Sequence, residues 1–484
     1  MENAIVGRDA ELEILKQIYA SKEPHFLTVY GRRRIGKTFL ISEFFKDKGI
    51  YFAITGMKNG TLREQLFQYA YEFARQFNDG QPISPPKSWD EALHELRKAI
   101  EKADKNQKCI LFFDEVPWLA SPRSRFLSAL EYFWNHYASK NANIIMIICG
   151  SSASWILRNI IHNTRGLYGR VTRTIRLLPF TLGETEQYLQ SRHIALDKKQ
   201  IIDIYMALGG VPKYLSYIQR GKSAAQNIND ICFSYHGALY NEFDNLYKSL
   251  FDHHEHHIAM VKALSATRDG LTKDELLQKT KLTSGGSSSR IIEDLVDAGF
   301  IVCVPSFHKK KVGGVYRLID EYTLFYLSWL VDASKVAFGR GDTTVWIKKC
   351  GTPAWRAWSG LAFESLCLKH LEKIRQALGI AGVTTMASGW RYRPKRGQGA
   401  GAQIDLVIDR ADKCINLCEM KYSDTEFTVD KSYGEKLRYK KEIFRQQTKT
   451  MKALFLTMIT TYGAVKNMHY LSEVDAEVTM ESLF

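Results

Sequence analysis

At 484 residues, 45% apolar and 25% charged, the chain has room for two to four domains at roughly 150 residues each, and enough apolar sequence to build cores without disulfide staples. That composition excludes long disorder and collagen-like or mucin-like repeats. A balance of 67 Lys and Arg against 52 Asp and Glu leaves a net charge of +15, a surplus that favours polyanionic partners such as nucleic acid. The eight cysteines form no CxxC pair, and most sit in apolar runs, so they read as buried free thiols of a reducing compartment. No signal peptide opens the chain and no apolar run approaches about 18 residues, so the expectation is a soluble, cytoplasmic protein with no membrane segment.

The spacing predicts a helix over 10–20 and an apolar strand over 26–30. Directly after the strand stands GRRRIGKT, residues 31–38, followed by a helical run over 39–45. This is the phosphate-binding pattern GxxxxGK[ST] in its required strand–loop–helix setting. Gly31, Arg34, Ile35 and Gly36 would curl backbone N–H groups around phosphate oxygens, helped by the helix N-terminus. Lys37 can reach the β- and γ-phosphates of ATP, and the Thr38 hydroxyl can hold Mg²⁺.

A second strand is expected over 50–55, and a third over 109–114, whose apolar run ends in Asp114-Glu115. Paired with the upstream loop, Asp114 reads as a Mg²⁺ carboxylate acting through water, and Glu115 as the group that orients or deprotonates the attacking water. The next strand, 143–150, delivers Ser151 to its tip, as a γ-phosphate sensor or as part of a helix N-cap. A fifth strand is expected over 174–178.

These motifs resemble the prokaryotic, archaeal-type AAA+/STAND-related P-loop ATPases, in the group fused to a C-terminal domain of unknown function. The resemblance rests on Val6-Gly7-Arg8 with Glu11, residues 31–38, Asp114 to Trp118, Gly150 to Trp155, Gly166 to Arg170, Leu178-Pro-Phe180 and Gly209 to Tyr214, and it extends over essentially the whole chain. It implies that Val6 and Gly7 contact adenine and that Pro212 is the lid proline near the base. Arg170 lies where an arginine finger or sensor would stand, with Arg165 and Arg173 as neighbours.

Beyond residue 225, short helices are expected over 259–266 and 273–280, then a Gly-Ser turn at 285–289 and a helix over 290–298. Strands over 299–304 and 314–318 flank a tip that carries Lys309, Lys310 and Lys311. The pattern suggests a winged helix that either contacts DNA phosphates or spaces domains and contacts protein. His253 and His257 have the i, i+4 spacing that a metal can bridge, but lack the HExxH order; a solvated helix face is the preferred reading.

In the last third a helix over 355–374 carries Glu364, a basic loop begins at Arg391, and two strands over 403–409 and 414–421 form a hairpin. Asp405, thirteen residues, then Glu419-x-Lys421 is similar to the D…(D/E)xK pattern of the restriction-endonuclease-like fold. On that reading Asp405 and Glu419 hold Mg²⁺, Lys421 orients water, and Glu364 is the additional acid. Residues 431–452 hold eight basic and two acidic side chains on a predicted helix.

The expected fold class is therefore α/β. A P-loop parallel sheet with helical lid would span 1–225, a winged helix and linker 226–345, and an α/β restriction-endonuclease-like domain 346–484. The expected function is ATP binding and hydrolysis coupled to DNA binding, with metal-dependent cleavage. The alternatives are an ATP-dependent regulatory switch whose C-terminal domain binds nucleic acid or protein without cutting, and a chaperone-like factor. A homo-oligomer is compatible with all three readings.

Overall fold

The structure, a computed structural model, describes residues 4–104, 106–162, 167, 169–251, 253–267, 270–305, 307, 314–331, 344–394 and 400–484. The chain divides into two compact units, Met1–Pro179 and Phe180–Phe484.

The first unit is a parallel sheet of β1 (His25–Tyr30), β2 (Ile50–Thr55), β3 (Cys109–Asp114), β4 (Ile144–Gly150) and β5 (Arg173–Arg176), in the order β2-β3-β4-β1-β5. Every residue of β1, β3 and β4 is buried. Such continuous apolar runs belong to parallel strands covered on both faces. Alternate side chains serve opposite cores. Phe26, Leu111, Phe113, Met146 and Ile148 share one core with Leu66, Trp89 and Phe126, which lie on α3 (Leu62–Phe77), α4 (Trp89–Lys102) and α5 (Phe126–His136). Leu27, Val29, Ile110, Phe112, Ile145 and Ile147 meet α1 (Asp9–Ala20) and α2 (Lys37–Phe45) in the other.

The second unit begins with helices α6 (Leu182–Ser191), α7 (Lys198–Leu208) and α8 (Glu242–Leu250). Next come α9 (His254–Ser265), α10 (Lys273–Thr280), α11 (Gly286–Asp297) and an antiparallel pair, β6 (Ile301–Val304) and β7 (Val315–Leu318). Leu271 bridges to Tyr316 on β7. The Gly-Ser segment expected as a turn thus mostly belongs to α11; Ser288 and Ser289 bond back to Gly285 and close its first turn. Lys309, Lys310 and Lys311 lie outside the described residues. His253 caps α9 in a left-handed conformation, and His257 is buried against Phe251, with ring centroids 4.0 Å apart. His257 therefore leaves the solvated face expected for it.

The unit closes with α12 (Pro353–Lys369), α13 (Leu371–Ala377) and a second sheet of β8 (Thr385–Tyr392), β9 (Ala402–Arg410), β10 (Cys414–Lys421), β11 (Ala453–Thr460) and β12 (Ala476–Thr479). Its order is β12-β11-β10-β9-β8, antiparallel from β8 to β10 and parallel from β10 to β12. Arg391 and Tyr392, expected in a loop, complete β8. The basic helix α14 (Lys431–Thr448) stops at Lys449, which is left-handed with φ 53°, and a short helix, α15 (Met468–Glu473), precedes β12. One continuous core runs from Phe180, Ile201 and Leu208 through Phe325 and Phe363 to Leu406, Cys418 and Ile459.

The helix expected over 355–374 breaks at His370, which is buried and fixed from both sides. Its Nε2 accepts the Leu182 N–H at 3.1 Å, and its Nδ1 lies 2.9 Å from the Leu366 carbonyl, which fixes the neutral Nδ1–H tautomer. Burial holds this imidazole down at about 4, against an ordinary 6.5. The unfolded chain thus takes up the proton first, and the stabilising contribution of neutral His370 is complete above about pH 6.5 and lost toward pH 4, at up to about 1.4 kcal/mol per pH unit. The wild type should lose stability relative to His370→Gln across that window, which urea midpoints measured from pH 7 to 4 will show.

Candidate active site

The strand–loop–helix at the head of the first unit is closed by backbone geometry that side chains resist. Gly31 has φ 150°, and a Cβ there would stand 2.2 Å from the Leu177 carbonyl oxygen. Gly36 opens α2 at φ 89°, in the left-handed region where glycine is favoured. Between them Arg34 is also left-handed, at φ 71°. Lys37 is buried, and its Nζ donates to the Gly31 and Arg32 carbonyls, each at 2.9 Å, so the ammonium sits folded over its own loop.

Three strand ends converge on that loop. Thr38 Oγ1, on the first turn of α2, donates to Asp114 Oδ2 at 2.6 Å across the tip of β4. Asp114 Oδ1 accepts the Glu115 N–H at 2.9 Å. Glu115 is left-handed, φ 48°, a conformation that costs a non-glycine residue roughly 1–2 kcal/mol. Its carboxylate is held by Ser151, whose N–H and Oγ donate to Oε2 at 3.1 and 2.9 Å. Burial pushes the Glu115 carboxyl above its ordinary range, while Lys37 and the Ser151 N–H oppose that shift. The result is a lysine, a hydroxyl, two carboxylates and a serine gathered at one sheet edge, a set able to bind a phosphate chain and hold a base near it.

Ser151, expected either as a γ-phosphate sensor or in a helix N-cap, holds the Glu115 carboxylate here, and the N-cap position falls to Ser152. Arg8 was not singled out from the sequence as a site residue. It is buried, left-handed at φ 64°, and its guanidinium donates to the Ile35 carbonyl at 3.3 Å, tying the N-terminal turn of Val6 and Gly7 to the loop. Only its adjacency to Gly7 hinted at this, since the contact spans 27 residues. Arg170 is exposed in the turn before β5, its N–H bonded to Leu167. Pro212 starts a short helix, Pro212–Leu215, in the second unit.

The C-terminal constellation is partly assembled. The last register pair of β9 and β10 is Leu406 with Cys418, which sets Asp405 and Glu419 one step beyond it on facing strands. Both are buried. Asp405 Oδ2 accepts the Met420 N–H at 3.0 Å. Glu419 Oε1 takes Lys440 Nζ at 2.5 Å, and Oε2 takes the Tyr433 hydroxyl at 3.3 Å. Burial and the nearby Asp405 charge push the Glu419 carboxyl upward, opposed by Lys440 and Lys421. Lys421 lies over the Tyr433 ring at 5.3 Å. Glu364 lies 3.5 Å from Arg317, and the Cys367 thiol one turn further along is in electrostatic reach of both Glu364 and Asp405. Among the described residues, no group of three or more His, Cys, Asp or Glu gathers as a metal would require. The same holds for the histidines around residue 255.

The geometry at the first site sets distinct outcomes for two substitutions. Ser151→Ala removes one of the two donors that orient Glu115, so ATP turnover should fall about tenfold or more while nucleotide affinity changes little. Lys37→Ala should abolish affinity, because it removes the ammonium that lies folded over the loop. Equilibrium binding of a fluorescent ATP analogue beside a phosphate-release assay separates the two.

Residues 5–218 match the family described as an ATPase domain predominantly from Archaea. An uncharacterised protein of Methanocaldococcus jannaschii is 25% identical over 450 residues, spanning 90% of this chain and 92% of its own. An uncharacterised ATP-binding protein of the same organism is 42% identical over 45 residues, 9% of this chain and 76% of its own. The solved Walker-type ATPase of Pyrococcus abyssi aligns over 67% of this chain and 96% of its own, at 17% identity and a TM-score of 0.46. No helix among the described residues is long and apolar enough to cross a membrane. With the phosphate loop and the paired carboxylates beside the family match, residues 5–218 carry an archaeal-type P-loop ATPase domain, and the remainder of the chain is additional to it.

Proposed function

We propose that the protein is an ATP-driven switch whose C-terminal region binds nucleic acid without cutting it. The observation that carries this reading is a contact between a lid helix and the strand that bears Glu419 and Lys421. Tyr422, the residue after that strand, donates its hydroxyl to Asp203 on α7. Lys199, one turn earlier on α7, lies 3.3 Å from Asp203 and 3.1 Å from Asp424, and 4.4 Å from the Tyr422 ring centroid. Asp203 is half-buried, and the resulting desolvation lifts its carboxyl above the usual range against the pull of Lys199. A lid helix held this way cannot shift without disturbing the C-terminal strand. In support, the matched ATPase region, 5–218, crosses the division at Pro179 and Phe180, so its last helices share a compact unit with the C-terminal sheet.

On the ATP side Lys37 binds the β- and γ-phosphates, and Glu115, aimed by Ser151, orients the attacking water. Thr38 Oγ1 and Asp114 Oδ2, 2.6 Å apart, are hard oxygen donors that suit Mg²⁺, which would offset phosphate charge. Val6 and Gly7 are assigned to the base on the strength of the resemblance, which likewise makes Pro212 the lid proline. Exposed Arg170 suits a finger offered to a neighbouring copy, which would make the active form a homo-oligomer.

Nucleic acid is favoured over a protein partner by charge. Of the eight basic residues over 431–452, Arg438, Lys440, Lys441 and Lys452 are paired with Glu473, Glu419, Asp475 and Asp409, while Lys431, Lys436, Arg445 and Lys449 remain exposed. The helices α9 to α11 with β6 and β7 are proposed as a winged helix, and the β8–β12 sheet with α12 as a restriction-endonuclease-like fold used for binding. The three-part organisation 1–225, 226–345 and 346–484 follows from that reading.

Two measurements test it. DNA affinity should differ between the ATP-bound and nucleotide-free protein, and Tyr422→Phe or Asp203→Asn should erase that difference while ATP turnover persists; equal affinity in all nucleotide states would sink the switch. Alanine at Lys431, Lys436, Arg445 and Lys449 together should weaken binding across sequences and flatten the log–log salt dependence by up to about 0.9 per lost phosphate contact.

A further inference from the structure

The carboxylates on β9 and β10 do not fit a divalent cation as they stand. A Mg²⁺ ion needs near-octahedral oxygen ligands at about 2.0–2.1 Å. Here both oxygens of Glu419 are engaged, Oε1 by the Lys440 ammonium and Oε2 by the Tyr433 hydroxyl. Asp405 Oδ2 is engaged by the Met420 N–H, and Glu364 lies 3.5 Å from Arg317. The fit is built in by helix α14. Tyr433, Leu437, Lys440 and Phe444 recur at helical spacing, and the buried Leu437 and Phe444 fix the face that meets the sheet. Lys440 and Tyr433 are therefore delivered to Glu419 by the same packing that seats the helix.

Charge arithmetic points the same way. Asp405 and Glu419 carry two negative charges, and Lys421 and Lys440 carry two positive ones. The cluster is neutral before any ion arrives. Both carboxylates are buried, and a buried charge is tolerated only when paired. Lys440 meets that demand with one ammonium, where a nuclease would meet it with metal. An incoming divalent ion would have to displace that ammonium and leave it stranded beside a dication.

We propose that Lys440 stands in for the metal: its ammonium fills the cation position at Glu419 and closes the Asp405–Glu419 pair to divalent ions. This rests on the reading of the C-terminal region as one that binds without cutting, and it explains that reading at the level of one side chain. Lys440 acts through Glu419 and is a positioning residue. Its removal frees Glu419 Oε1, the oxygen that a divalent ion would have to take from the ammonium.

The test uses the full-length, nucleotide-free protein with Mn²⁺ as probe, followed by electron paramagnetic resonance of free and bound ion. Lys440→Met removes the charge at similar volume. Lys440→Gln keeps a donor to Glu419 and serves where the first variant does not fold; thermal melting checks both. Either variant should gain one Mn²⁺ site at least tenfold tighter than any the wild type shows, and adding Glu419→Gln should abolish the gain. Two results overturn the proposal: a wild-type Mn²⁺ site that Glu419→Gln removes, or no gained site in a folded Lys440 variant. DNA binding measured in EDTA is a separate arm. Its failure would remove the nucleic-acid reading and leave the metal result standing.

Discussion

The hydrogen bond from Thr38 to Asp114, 2.6 Å long, joins the start of α2 to the end of β3 across the tip of β4, and the phosphate-loop end of the first unit is arranged around it. It can form only because β1, β3 and β4 run parallel and end at the same edge. That in turn requires strands apolar on both faces, each pinned between two helical layers. Asp114 then spends its other oxygen on the Glu115 N–H, which helps hold Glu115 in a left-handed turn and points its side chain at Ser151. Strain at Glu115 is therefore sustained by the sheet and not by local preference.

The sequence made this end legible because each signal was local. A glycine-rich loop must follow a strand and precede a helix, and a buried strand that ends in two acids is unusual enough to recognise beside it. The C-terminal sheet was legible only in its middle. Strands β9 and β10 alternate or run apolar, whereas β8 is an edge strand interrupted by Gly389 with Ser388 alone buried, so that its basic end resembles a loop in the sequence. The antiparallel β9–β10 hairpin is plain in the sequence, because two apolar runs flank a short polar turn.

What the sequence could not disclose was partnership at a distance. The run over 431–452 has the look of a uniform basic face, yet half its cations are consumed by carboxylates from other segments of the chain, the nearest being 21 residues away in sequence. Periodicity says which face of a helix is buried, but it does not say which acid waits beneath a lysine. Arg8 and His370 escaped attention for the same reason: each is a polar side chain whose meaning lies in a backbone group 27 or 188 residues away. His257 shows the converse, a residue that looked like surface and became part of a stacked, buried pair with Phe251.

Helix α7 has a consequence for how the protein can be divided. Seven consecutive or near-consecutive residues, Ile201, Ile202, Ile204, Tyr205, Met206, Ala207 and Leu208, are buried, so the helix has almost no outward side. Its core neighbours include residues supplied as late in the chain as Met480 and Leu483. A fragment that stopped at the ATPase boundary near residue 218 would carry this helix stripped of half its surroundings, and its apolar girth would face water. Modularity of ancestry is thus not modularity of folding here: the segment that marks the end of the ATPase family is, physically, an internal beam of the region that follows it.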